Sequence, residues 1–196
     1  MRAAGDEPRI GPNAVIQTMR ALAELEDPKV VDTVRRAAAL PDPLPEGMIP
    51  ERWFVRLVDV IRAQLPALHA DAVLQRSGKY TADYVRAHRI PRPVQVTLQF
   101  LPQRLAVPLL LSAFSRHAWT FAGSGQFRVE GRYPGTIVLE HGPTCRSHPS
   151  TDHSGAYYEA AFEGLLRLAA PHVHVTEEAC EARGATACRF RLNIGD

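Results

Sequence analysis

The order of hydrophobic periods along this 196-residue chain predicts an α+β fold, with N-terminal helices packed on a four-stranded antiparallel sheet in the order β-β-α-β-β. Three observations predict it. Up to about Trp119, apolar residues recur every three or four positions, the period of a helix with one buried face. Beyond Gly125 the period shortens to two, in runs rich in β-branched and aromatic residues. One further helical stretch separates two pairs of those runs, and helices followed by strands in blocks is the α+β pattern.

The elements follow in order. Val15, Met19 and Leu22 form a helical stripe after Gly11-Pro12-Asn13, with Asn13 the expected N-cap. Asp27-Pro28 ends that helix and starts another carrying Val30, Val34 and Ala37 on one side. The segment from Pro41 to Gly47 reads as a linker, so residues 1–45 form a helical extension with its linker and residues 46–196 the main domain. After Pro50, the residues Phe54, Leu57, Val58, Ile61 and Leu65 make the cleanest amphipathic face. A longer helix covers Ala67 to His88, with Gly78 allowing close packing. Pro91 and Pro93 interrupt the pattern, and another apolar helix runs from about Pro102 to Trp119. Strands follow over Gln126–Glu130 and Thr136–Glu140 around a Gly131–Gly135 turn, then a polar loop from His141 to His153. A helix from about Ser154 to Ala169 and two strands, about His172 to Cys180 and Ala187 to Asn193, close the chain.

A net charge of +2 is too mild to imply nucleic acid. The longest apolar run, Leu105 to Ala113, is about half of what a bilayer needs, so no transmembrane segment is expected. Met1 to Glu7 lacks the apolar core of a signal peptide. A cytoplasmic protein is therefore expected, in a compartment where three cysteines favour metal binding over a disulfide.

Cys180 and Cys188 lie symmetrically about Gly184. A hairpin turning there brings them together, since facing residues on antiparallel strands hold their Cβ atoms roughly 4.5–5.5 Å apart. Cys145 and Glu177 can complete a four-ligand set. Spacing alone leaves two readings open, because free cysteines are also common small hydrophobes of the core. A rival ligand set, Cys145 with His148, Asp152 and His153, lies within one loop, while His172 and His174 share a strand face and read as surface residues. Gly123-Ser124-Gly125 precedes a strand instead of opening a helix, so it is not a phosphate loop.

The pattern Glu177-x-x-Cys180-x-x-x-Gly184-x-x-x-Cys188-x-Phe190, with Cys145 upstream, resembles the C-terminal signature of the 4-vinyl-reductase domain family. The stretch from His117 through Trp119 and Phe121 to Gly125 narrows the resemblance to that family's bacteriochlorophyll-pathway members, long described as divinyl (proto)chlorophyllide 8-vinyl reductases. The resemblance implies a fold similar to the small subunits of the TRAPP tethering complex, a homodimer, and a structural zinc ion held by Cys145, Glu177, Cys180 and Cys188. It also makes His117, Trp119 and Phe121 the wall of a tetrapyrrole pocket, with Tyr84 and His88, and more weakly Tyr80, beside them. Without the resemblance, Trp119 and Phe121 read as core residues and His117 as a C-terminal helix residue favoured by the dipole.

Reduction of a vinyl group needs two electrons and two protons, and side chains do not supply hydride. No flavin or nicotinamide fingerprint occurs in the sequence. Three cysteines committed to zinc, which has no redox chemistry, leave none for an iron–sulfur cluster. The expected function is thus an accessory or carrier protein that binds a (divinyl) magnesium porphyrin or chlorophyllide intermediate and assists its reduction or transfer. Its expected partners are other enzymes of that pathway, at the periphery of the photosynthetic membrane. The 8-vinyl reductase itself is the alternative from the enzyme class. A small-aromatic sensing module, as in regulator relatives of the family, is the second.

Overall fold

In the computed structural model, which describes residues 7–44, 46–145 and 155–195, the change of period near residue 120 is also a boundary between layers. Helices α1 (Asn13–Leu25), α2 (Pro28–Ala37), α3 (Glu51–Gln64), α4 (Ala67–His88), α5 (Arg92–Phe100) and α6 (Gln103–His117) come first. Strands β3 (Gln126–Glu130) and β4 (Thr136–Glu140), helix α7 (Ala156–Leu166), and strands β5 (Val173–Ala179) and β6 (Cys188–Ile194) follow. The four strands form an antiparallel sheet ordered β3-β4-β6-β5, as the α+β reading expected. Two short strands, β1 (Arg9–Ile10) and β2 (Ile49–Pro50), pair apart from it.

Prolines do much of the punctuation. Pro50, Pro66, Pro91 and Pro102 each stand with extended ψ just before α3, α4, α5 and α6. Two expectations need correction here. Pro91 and Pro93 do not interrupt a helix but open α5, because the first turn has no intrahelical acceptors for its N–H groups to lose. Asn13 is the first residue of α1 instead of its cap; Pro12 takes that place, and its carbonyl accepts from the amides of Val15 and Ile16. Asp27 does cap α2, its side chain accepting from Lys29 N at 2.8 Å. Helix α6 tightens after His117 into a 3-10 turn over Ala118–Thr120, short of the continuous helix to Trp119.

Helices α4 and α7 pack closely because two glycines remove side chains from the contact. A Cβ on Gly78 would sit 2.8 Å from Ala160 Cβ, and one on Gly164 2.6 Å from Ala82 Cβ. On its other side α4 packs against α1, where the buried hydroxyls of Thr18 and Ser77 satisfy each other at 2.6 Å. Val15, Leu22 and Val34 from the first 45 residues share one hydrophobic cluster with Leu74, Ile137 and Phe190. Each such large apolar side chain taken from water contributes roughly 1.5–3 kcal/mol. The opposite face of the sheet is charged and cross-linked, with Arg128 bonded to Glu140 and Arg189 to Glu130, each at 2.5 Å. Among the described residues no helix is long and apolar enough to cross a membrane.

Candidate metal centre and ligand wall

Alternation along β5 turns Val173, Val175 and Glu177 toward the core, so a carboxylate occupies a position where the pattern calls for an apolar side chain. A buried charge at such a place needs a compensating partner. On β6 the same alternation turns Cys188, Phe190 and Leu192 inward, and Glu177 pairs with Phe190. If β5 ran on regularly, Cys180 would face away from Glu177. It does not, because a β-bulge between Glu177 and Ala179 inserts one residue and shifts the register to Ala179↔Arg189. That shift brings the extended Cys180 opposite Cys188, with the two Sγ atoms 3.5 Å apart. Gly184 then closes the hairpin in the left-handed region at φ 86°.

Cys145 arrives from the other side. The chain leaves β4 at His141, whose φ of 54° is left-handed, and folds back so that Cys145 N donates to Gly142 O at 3.0 Å. A side chain at Gly142 would meet Leu139 Cγ at 2.8 Å and Cys145 Sγ at 3.4 Å, so the fold-back depends on glycine. Glu181 fixes this loop by accepting from His141 N at 2.9 Å, while its own amide donates to Cys188 Sγ at 3.4 Å. All three cysteines are buried and reduced. Hydrogen bonding with Cys145 and burial push the Cys188 thiol far up toward its neutral form, outweighing the Cys180 contact that pulls it down.

Two donor groups therefore interlock at Cys188. The ligand atoms of Glu177, Cys180 and Cys188 lie within 4.8 Å of one another, and so do those of Cys145, Glu181 and Cys188. Every residue of the expected set reaches this corner. Three thiols and a buried carboxylate are a donor set suited to zinc, and four protein ligands would leave no open position for water or substrate. Metal binding would release the thiol protons that crowding now retains. Arg183, 3.2 Å from Glu177 Oε2, offsets part of the negative charge such a set carries. Glu181 is the member that sequence reasoning missed; its place beside Cys180 in a Glu-rich stretch was the available signal. Of the rival loop set, His148, Asp152 and His153 lie outside the described residues. His172 and His174 are exposed, with His174 Nδ1 3.7 Å from Glu163.

The expected ligand wall is more open. His117 and Trp119 are exposed, Trp119 by 52%. Phe121 instead turns inward, edge-on to Phe127 and Phe162 at 5.5 and 5.9 Å. Its carbonyl accepts from the buried Tyr158 hydroxyl at 3.0 Å. Tyr84 and His88 stack on each other within α4, centroids 4.4 Å apart, and Tyr80 is engaged by Glu24 and by Arg20 over its ring at 4.0 Å. Among the described residues, no hydrogen bond or ring contact joins this group to His117–Phe121. Both histidines share one arrangement. His117 Nδ1 lies 3.0 Å from Ala113 O, and His88 Nδ1 3.0 Å from Tyr84 O. A carbonyl can only accept, so Nδ1 carries the proton and the Nε2 lone pair is left for another partner. The Gly123-Ser124 turn holds an anion of the protein itself: Ser124 N and Oγ donate to the buried Glu51 carboxylate at 2.8 and 3.1 Å. A cleft of about 480 Å³ lies elsewhere, between α2 and α3, with Ala38, Arg52, Trp53 and Asp59 in its lining.

Residues 136–194, the span from β4 to β6 that contains the whole cysteine corner, match the 4-vinyl-reductase domain family. Over nearly its full length the chain is similar to two curated proteins, each named bacteriochlorophyll synthase 23 kDa chain. It is 40% identical over 186 residues to that of Cereibacter sphaeroides, covering 94% of this chain and 90% of the relative. It is 37% identical over 190 residues to that of Rhodobacter capsulatus, covering 96% and 88%. Among solved structures, an Fe(II) unliganded H-NOX protein variant from K. algicida shares the fold, with a TM-score of 0.57 at 12% identity over 95% of this chain and 97% of that one.

Proposed function

The chain belongs to the family of the bacteriochlorophyll synthase 23 kDa chains, and from that premise we propose that it serves bacteriochlorophyll synthesis by binding a magnesium tetrapyrrole intermediate and assisting its reduction or transfer. The observation that carries this reading is the extent of the likeness. It spans about nine-tenths of both chains, so it includes the helices and the 117–121 segment and is not confined to the C-terminal domain match.

The residues suit the ligand. A chlorophyllide is a flat apolar ring with a cation at its centre that accepts an axial ligand. His117 offers an outward Nε2 with its tautomer fixed from behind by Ala113 O. Trp119, two residues on and exposed, offers a ring face for stacking. Phe121 anchors this short turn in the core, so its role is to hold the other two. Beside this, we propose that Cys145, Glu177, Cys180 and Cys188 hold a zinc ion whose part is to cross-link β5, β6 and the loop after β4.

Titration of the purified protein with magnesium protoporphyrin tests the ligand reading. A shifted Soret band at micromolar concentration is expected, weakened by His117→Ala; no shift counts against binding. Turnover of a divinyl chlorophyllide by the pure protein with a nicotinamide donor would make it the reductase instead of an accessory.

A further inference from the structure

Residues 84–129 contain six arginines and not one aspartate or glutamate, although the whole chain is only +2. The remainder is thus net acidic, and the basic charge is concentrated in the end of α4, in α5 and α6, and in β3. Arg86, Arg89, Arg92, Arg104 and Arg116 are exposed, and none forms an ion pair with a described residue. The same segment carries most of the large exposed apolar side chains: Phe100 at 85% exposure, Leu105 at 59%, Leu109 at 55%, and also Val96 and Trp119.

Helical spacing orders these residues. Arg92, Val96 and Phe100 fall at i, i+4 and i+8 on α5. Leu105, Leu109 and Arg116 fall at i, i+4 and i+11 on α6, opposite the buried Val107, Leu110, Leu111 and Phe114. Only Leu101 and Pro102 separate the two helices. A helix that is apolar on its solvent side as well as its core side needs something to cover it. At the margin, Tyr133 in the β3–β4 turn lies under Arg104, 6.0 Å from ring to guanidinium.

We propose that the α5–α6 face docks on an anionic lipid bilayer, with Phe100, Leu105 and Leu109 entering the acyl boundary and Arg92, Arg104 and Arg116 meeting the headgroups. Charge decides the occupant. Docking of a second copy through the same face would set arginines against arginines, because a two-fold interface is self-complementary only in shape. An anionic surface neutralises them, and apolar area together with basic charge is what interfacial helices use. Trp119 and Tyr133 are the residue types that settle at the headgroup level.

The experiment is flotation of the full chain with vesicles of phosphatidylcholine alone or with half phosphatidylglycerol. Partition onto the anionic vesicles is expected to exceed that onto neutral ones by about tenfold or more, and to fall with salt. Arg104→Glu with Arg116→Glu, and separately Phe100→Ser with Leu105→Ser, are each expected to reduce it by roughly tenfold. All four positions are exposed, so thermal unfolding of the variants should match the parent. Equal partition on both vesicle types, or none, overturns the proposal. So does a self-associating protein that Phe100→Ser with Leu105→Ser renders monomeric, which would assign the face to a second copy. A magnesium protoporphyrin Soret shift lost in that same double variant, with vesicles ignored, would assign it to the pigment.

Discussion

At the cysteine corner, the loop after β4 and strands β5 and β6 deliver buried side chains into a space a few ångströms across. Along His117–Phe121, residues adjacent in sequence go separate ways, one ring into the core and two side chains into solvent. The first arrangement is a finished donor set whose members hold one another in place. The second becomes a site only when a ligand completes it. Local clustering in sequence therefore says little about convergence, whereas a polar residue breaking an apolar alternation, as Glu177 does, says a great deal.

Four experiments break or sharpen this contrast. The largest effect is expected from Cys188→Ser, since Cys188 is common to both donor groups. Metal analysis should find the bound zinc lost. The midpoint of thermal unfolding should fall by a share of the roughly 10–16 kcal/mol that structural zinc contributes in small zinc peptides. A variant that keeps its metal and its stability would erase the distinction between the two regions. A chelator should reproduce the loss in the parent and leave the variant unmoved.

Next is the response to alkali of the packed side of the molecule. Burial pushes the Tyr157 phenol up to about 12 from an ordinary value of 10.0. The folded protein then holds a proton that the unfolded chain releases, so stability is intact below pH 10 and declines between 10 and about 12. The loss is on the order of 3 kcal/mol for this group. Denaturant unfolding across that window should show the decline, and Tyr157→Phe should flatten it.

A smaller effect belongs to the link between the two regions. Tyr158→Phe removes the hydroxyl that bonds Phe121 O and is expected to cost about 1 kcal/mol. It should also loosen the 117–121 turn, read as faster amide exchange there. The smallest belongs to the wall itself: His117→Ala should change stability by no more than about 0.5 kcal/mol, as surface substitutions do. A larger loss of stability would make His117 a structural residue and remove it from the ligand reading.

Much of the architecture was legible. The strands Gln126–Glu130 and Thr136–Glu140 follow from alternation between turn glycines. The close helix contact at Gly78 follows from a residue without a side chain in an otherwise good helix. Helix α5 was not legible, because prolines break helix interiors but suit first turns, and sequence alone does not say which applies. At the corner, Cys180 and Cys188 follow from symmetry about Gly184. Cys145 follows only from the family resemblance, because the loop that returns it is fixed by His141 and Glu181 through contacts far apart in sequence. The inward turn of Phe121 was likewise hidden, since an aromatic residue serves a core and a pocket equally well.

The β-bulge after Glu177 has a further consequence. Along a strand, side chains obey parity: an odd separation puts two residues on opposite faces, an even one on the same face. Glu177 and Cys180 are an odd number of positions apart, yet they share a face because the bulge adds an uncounted step. Deleting Glu178, whose side chain reaches outward to Arg191, would touch no ligand atom. It would nonetheless restore the count and turn Cys180 out of the corner. Whether this hairpin can hold a metal is thus set by arithmetic along its backbone as much as by the identity of its ligands.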